Sequence, residues 1–440
     1  MRNSLKTAAL AALLSLGTVS PAAAQTQIQW WHSMTGAAGD WVGGLASEFN
    51  ASQKDYKINP VFKGTYDESY AATIAAYRAG NAPHIVQIFE VGTATMMTSG
   101  AIKPVTDVFK AGGIAFDPQV YVPAVSGYYT APNGTMLSLP FNSSTTVFFY
   151  NKDMFKKHGL DPNKAPATWP EVAAAAAKLK AGGEKCGFTP AWQSWTQLES
   201  FSTWHNTIFA TKNNGFDGWD ARLAFNSPLH VRHIENLANM QKQGLMSYAG
   251  RRTEAEAKFW TGECAMLTSS SAAYAGIKRN AKFDFGISPL PFYPDVAGAP
   301  QNTIIGGGSL WAMAGKTTSE YKGVALFYNY LSDANVQAKS SQFTGYLPLT
   351  NKAYEVSKAS GFYEKNPGTD VAVKQMIVRT TAKSRGIRLG NFVQVRNVID
   401  EELEGIWAGK KTAKEGLDAA VKRGNEILEK FEKSQKAAKK

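Results

Sequence analysis

Hydroxyls beside bare backbone recur at three places in the chain. Asn142-Ser143-Ser144 precedes the run Thr145-Thr146-Val147-Phe148-Phe149-Tyr150, Thr268-Ser269-Ser270-Ser271 follows Ala265-Met266-Leu267, and Gly306-Gly307-Gly308-Ser309 precedes Leu310-Trp311-Ala312-Met313. Groups of this kind hold anions, because alcohols and main-chain N–H groups donate to oxygens and the first N–H groups of a helix lack intrahelical partners. Three successive glycines around Gly307 also let a ligand approach the main chain closely. Glu90, directly after Ile85-Val86-Gln87-Ile88-Phe89, is the opposite kind of group, an acceptor suited to vicinal alcohols. Each stretch has a plainer alternative. The serines suit N-capping of a helix that starts near Ala272, and the glycines suit a bulge or bend.

The elements that must position these groups follow from the pattern around them. The run from Thr145 to Tyr150 lacks polar alternation and predicts a strand covered on both faces. Asn151-Lys152-Asp153 then opens a helical unit, so the segment reads as a crossing from one lobe to another. Upstream, Ile28-Gln29-Trp30 predicts a first strand, and Trp41, Val42, Leu45 and Phe49 recur at helical spacing. Tyr56–Phe62 predicts a second strand, residues 69–78 a helix, and Ile85–Phe89 a third strand. Strands alternating with helices imply right-handed β-α-β units and an open, largely parallel sheet whose ligands sit beyond the carboxyl ends of its strands. That aims Glu90 at a crevice. Further on, Thr168 and Glu171 form a T-x-x-E capping box, Ser227-Pro228 opens a helix toward Gly244, and residues 304–313 read as the return crossing. The end of the chain is amphipathic helix with a break at Gly409-Lys410.

Composition narrows the class. Arg2 and Lys6, an apolar run to about Val19 and Ala22-Ala23-Ala24 predict a cleaved secretory leader over residues 1–24, too short in its apolar part to span a bilayer. What remains exceeds the roughly 250 to 300 residues at which one core stops growing, so two lobes are expected. The net charge of +12 is scattered except at the lysine-rich end, which with export argues against nucleic acid and for a field that draws small anions to a cleft. The two cysteines, Cys186 and Cys264, would enter an oxidising compartment. A disulfide between them is expected to restrict the unfolded chain by roughly 4 kcal/mol. With six histidines, none near a cysteine in sequence, no metal site is expected.

Catalytic signatures are missing. There is no G-x-S-x-G elbow, and Ala314-Gly315-Lys316-Thr317 only imitates the end of a P-loop. His230-Val231-Arg232-His233 is not H-E-x-x-H, and His230, His233 and Glu235 read as the wet face of a helix.

With Trp31-His32-Ser33-Met34, Gly64-Thr65-Tyr66, Phe89-Glu90-Val91-Gly92-Thr93, Pro140-Phe141-Asn142-Ser143-Ser144, Gly262-Glu263-Cys264-Ala265-Met266 and Gly345-Tyr346-Leu347-Pro348 assembled, the chain resembles the extracellular solute-binding proteins of bacterial ABC importers. Within them it is most similar to members that carry phosphate esters of glycerol. The resemblance implies an α/β, two-lobed type II binding-protein fold, each lobe a mostly parallel sheet flanked by helices, joined by hinge crossings. Lobe 1 would take residues 25–140 and 308–345, lobe 2 residues 141–307 and 346–430, and residues 431–440 would form a basic tail.

It further implies a periplasmic monomer without cofactor or catalysis, loaded with a small phosphate ester and docking on membrane permease subunits. Carried onto matching positions, Ser144, Ser270, Gly307, Tyr346 and Arg396 would hold the phosphate. Tyr66, Glu90, Trp192 and Trp195 would hold the glycerol side and any attached alcohol. Arg388 competes with Arg396 for the phosphate, and Arg396 could instead pair with Asp400 at the surface. On this reading Arg396→Ala abolishes binding and leaves thermal unfolding nearly unchanged. A neutral oligosaccharide or polyol receptor and an exported glycerophosphodiesterase are the competing functions.

Overall fold

The computed structural model describes residues 25–376 and 381–438. The leader expected over residues 1–24 lies outside the described residues, as do Lys439 and Lys440 of the expected tail. Among the described residues, ten strands form two sheets. The strands β1 (Thr26–His32), β2 (Tyr56–Phe62), β3 (Ile85–Phe89), β4 (Ile102–Lys103) and β5 (Leu139–Pro140) precede the crossing. After it come β6 (Thr146–Asn151), β7 (Cys186–Pro190), β8 (Cys264–Ser270) and β9 (Phe285–Ser288), and β10 (Gly308–Met313) follows the return. The first sheet runs β2-β1-β3-β10-β4 with β5 also on β10, and the second runs β7-β8-β6-β9.

The two-lobed α/β architecture is as expected, but the strand directions are more mixed. β1, β2 and β3 are mutually parallel, joined by helices as β-α-β units. β10 is antiparallel to β3, β4 and β5, and in the second sheet only β7 and β8 run parallel, β6 being antiparallel to both β8 and β9. The reason is topological. A strand that enters a sheet from the other lobe is not tied to the handed crossover that makes neighbours parallel.

Local chemistry explains the elements. All six residues of β6 and of β10 are buried, as the unalternating apolar runs require. The helix expected to begin at residue 69 starts at Tyr66, because Thr65 accepts from the Glu68 N–H while the Glu68 carboxylate accepts from the Thr65 N–H. This capping box satisfies two orphan donors and fixes Tyr66 at the first helical position. Cys186 and Cys264 face each other across β7 and β8 and are bonded.

Two expectations are corrected. Phe431 does not begin a separate tail: it is buried, and the helix Ala413–Ala437 carries on through it, held by Glu432 to Arg222 at 2.6 Å. His230 and His233 are not on a wet face but fully buried. The helix Pro228–Lys242 is covered on more than one side, so that His233 stacks on Phe201 at 4.0 Å and lies 4.6 Å from Trp169. Helical spacing reports one apolar stripe and cannot say that a second face will also be covered. Among the described residues, no helix is long and apolar enough to cross a membrane and no group of three or more His, Cys, Asp or Glu could hold a metal ion.

Candidate functional site

The chain passes between the sheets from β5 to β6 and from β9 to β10, and these two crossings and the segment at Leu347 are hydrogen-bonded to one another. Asn142 N–H donates to Gly308 O at 3.1 Å, Ser144 N–H to Gly306 O at 3.1 Å, Gly306 N–H to Ser144 O at 2.8 Å and Leu347 N–H to Ser143 O at 2.8 Å. A cavity opens beside this hinge, lined by Tyr66, Phe89, Glu90, Ser144, Trp192, Trp195, Ser270, Gly306, Gly307, Tyr346 and Arg396. All nine residues singled out from the sequence therefore line one hollow. Phe89 and Gly306 join them.

Each side chain owes its place to a local device. Glu90 leaves the carboxyl end of β3, and its N–H donates to Gly307 O at 2.8 Å. Tyr66 stacks on Phe89 at 5.0 Å and accepts from Asn142 Nδ2 at 2.8 Å. Burial raises its hydroxyl pKa well above the ordinary value, so it stays a neutral donor. Tyr346, also pushed up by burial to about 12, follows Gly345, whose left-handed backbone ends the helix Ala334–Thr344. Ser270 terminates β8 and its Oγ accepts from Ala272 N–H at 3.1 Å. That is the capping role allowed for it, and it leaves the hydroxyl proton free to donate elsewhere. Trp192 holds φ +51°, a conformation that costs a non-glycine residue about 1–3 kcal/mol. Trp195 opens a π-helical turn, Trp195–Glu199, and its indole N–H is buried without a partner among the described residues.

Gly307 is fixed on two counts. Its φ is +79°, and a Cβ there would lie 1.9 Å from Asn142 O. Gly307→Ala is expected to break the hinge pairing at a cost of about 1–3 kcal/mol from backbone strain alone, and to lose ligand binding; chemical denaturation and calorimetry check the two halves.

The electrostatics depart from the sequence expectation at Arg396. Its guanidinium is 2% exposed and its Nε–Nη2 edge is fully engaged. Nε donates to Glu199 Oε1 at 2.9 Å, and Nη2 to Glu199 Oε2 at 2.7 Å and to Glu90 Oε1 at 2.6 Å. Only Nη1 is left without a protein partner among the described residues. Burial works against the charge of Arg396, but Glu199 and Glu90 more than offset it and hold its pKa above the usual value. Burial likewise raises Glu199, against the pull of Arg396.

The expected open fork toward a phosphate is thus closed on one side by Glu199, and the expected indifference of stability to Arg396→Ala is overturned, since the arginine neutralises two buried carboxylates. Nor does Arg396 pair with Asp400 at the surface; that buried carboxylate bonds Arg252 Nη1 at 2.6 Å. Arg388 lies away from the cavity, donating to Tyr128 O and Thr130 O. Glu199 is the polar residue that sequence reasoning missed. Glu199 carried a signal, a lone carboxylate in the uncharged run from Ala191 to Trp204.

The profile of the bacterial extracellular solute-binding protein matches residues 44–370. The chain belongs to that family. Among solute-binding relatives, the sn-glycerol-3-phosphate-binding periplasmic protein UgpB of Salmonella paratyphi A is 52% identical over 436 residues, covering 99% of this chain and 100% of the relative. The protein of the same name from Pectobacterium atrosepticum is 54% identical over 427 residues, covering 97% and 95%. Among solved structures, UgpB from Mycobacterium tuberculosis in complex with glycerophosphocholine superposes with a TM-score of 0.77 at 24% identity, covering 92% of this chain and 99% of that one. Maltose-bound MalE3 of T. maritima gives 0.74 at 17% identity, covering 91% and 100%. At those identities the two structures establish the solute-binding fold.

Proposed function

We propose that this chain is the periplasmic receptor of an ABC importer for sn-glycerol-3-phosphate and glycerophosphodiesters such as glycerophosphocholine, exported by its leader and handing ligand to membrane permease subunits as a monomer without catalysis. The observation that carries this reading is the end-to-end likeness to proteins named for glycerol-3-phosphate binding. The cavity supports it chemically. Ser144 and Ser270 hydroxyls, the Gly307 N–H, the Tyr346 hydroxyl and Arg396 Nη1 take the phosphate oxygens. Glu90 accepts from glycerol hydroxyls beside Tyr66, and Trp192 and Trp195 cover the carbon face. Residues 25–140 with 308–345 and 141–307 with 346–430 act as the two jaws. A hydrogen bond to a charged group contributes roughly 1.5–3 kcal/mol, so a few of them sustain micromolar affinity, about −8 kcal/mol, after ordering losses.

Calorimetric titration with glycerol-3-phosphate, glycerophosphocholine and maltose tests the reading. Heat is expected from the esters and none from maltose. Heat from maltose alone transfers the site to the neutral-sugar reading, which the likeness to a maltose-bound fold favours. Turnover of glycerophosphocholine by metal-free protein transfers it to the exported phosphodiesterase.

A further inference from the structure

Arg252 lies outside the cavity lining and reaches both sides of the cleft. Its Nη1 donates to the buried Asp400 at 2.6 Å and its Nη2 to Asn397 Oδ1 at 3.2 Å, both on the helix Phe392–Trp407. The opposite edge donates from Nε at 3.3 Å and Nη2 at 3.2 Å to Asp67 Oδ2, on the helix Tyr66–Arg78 that packs on the first sheet. The same arginine holds the strained Trp192. Its carbonyl accepts from Trp192 N–H at 2.8 Å, and its guanidinium sits over the indole at 5.9 Å. The Trp192 ring lies 6.3 Å from Tyr66, the residue next to Asp67.

We propose that Arg252 is the strut that retains ligand: fixed to the second lobe by Asp400, it grips Asp67 only when the lobes are shut, and so presses Trp192 against Tyr66 over the bound molecule. The inference rests on the receptor reading. Contacts present in the closed state alone shift the equilibrium toward it by their differential free energy. This pair is better placed to do so than its neighbour in kind, Arg279 with Asp40. Arg252 and Asp67 side chains are 15% and 31% exposed, against 46% and 69% for Arg279 and Asp40, and charge pairs exposed to that degree contribute little.

Stopped-flow dissociation of glycerophosphocholine and glycerol-3-phosphate from the full chain tests the strut. Asp67→Asn and Arg252→Gln are each expected to speed dissociation about tenfold with association within about twofold of the parent, since changes within one interface fall mainly on the off-rate. The double variant should dissociate no faster than the faster single variant, and Asp40→Asn at the parental rate. Asp67→Asn keeps the shape of the side chain and removes the arm between the lobes together with one of two first-turn charges of the helix Tyr66–Arg78, so its thermal midpoint should fall only slightly, a result that a purely structural role would not give. Parental dissociation from Asp67→Asn, or independent addition of the two effects, overturns the proposal. Should the parent bind neither ester, the receptor reading fails by itself. The strut is then decided by spin-label distances between the lobes: a smaller closed fraction in Asp67→Asn supports it, and an equal fraction overturns it.

Discussion

Replacing Arg396 by alanine should cost about 3–5 kcal/mol of folding stability at pH 7, the usual effect of removing one partner from a buried ion pair. The guanidinium sits between Glu90 and Glu199, which are 6% and 1% exposed. Without it the two carboxylates face each other in a medium that solvates neither, and one must take up a proton. In the variant, the folded pKa of that carboxyl lies above its unfolded value. The folded state then binds more protons than the unfolded state between those two values, and stability falls as pH rises through the window. The deficit against the parent should therefore be largest near pH 8 and shrink toward pH 5. Urea unfolding of both proteins at the two pH values checks this; a variant as stable as the parent at pH 8 would mean that Glu199 is neutral in the parent. Ligand binding is lost as well, because Nη1 goes with the rest. Lysine is not an adequate substitute, since an ammonium cannot serve two carboxylates and a third acceptor along a planar fork.

Acid should destabilise the folded protein from about pH 6.5 downward, before most carboxylates titrate. His205, His230 and His233 are buried in a ring cluster with Phe201 and Tyr293. Burial lowers His205 to about 4, His230 to about 3 and His233 well below its ordinary value; His32 in the first lobe is lowered by burial to about 4. Each is neutral when folded and takes up a proton when unfolded below about pH 6.5. Stability is thus fully present above 6.5 and is lost as pH falls toward 4, by roughly 3 kcal/mol for one isolated histidine shifted by that much. The clustered rings interact, so their losses do not simply add. Glu256 works in the other direction. Burial pushes it up to about 7, so its contribution is present near pH 4.5 and lost on the way to 7. Burial raises Glu199 and Asp400 as well; the four histidines outnumber these three carboxyls, and unfolding at pH 5 is expected to take up protons on balance. The slope of unfolding free energy against pH between 5 and 6 measures that uptake. A flat or falling slope would show the cluster to be protonated when folded.

Much of this protein is legible in its residues taken in order. Tyr56–Phe62 and Ile85–Phe89 are strands with the bounds expected of them, because β-branched and aromatic runs bounded by turn residues are a local signal. The capping box at Thr168 and Glu171 forms as its spacing demands. The crossing at Ser144, the tri-glycine at Gly307 and the carboxylate after β3 are visible because a hinge and a strand end are sites where backbone chemistry shows in residue type.

What the tertiary structure alone decided is how charges pair across long separations. Glu90, Glu199 and Arg396 come from three distant segments, as do Asp67, Arg252 and Asp400. Nothing in spacing tells an arginine awaiting a phosphate from one already held by two acids. The histidines teach the same lesson about burial. One helix stripe is written in the sequence, but whether a second face is dry depends on which neighbours pack there, and that is settled only when the lobes assemble.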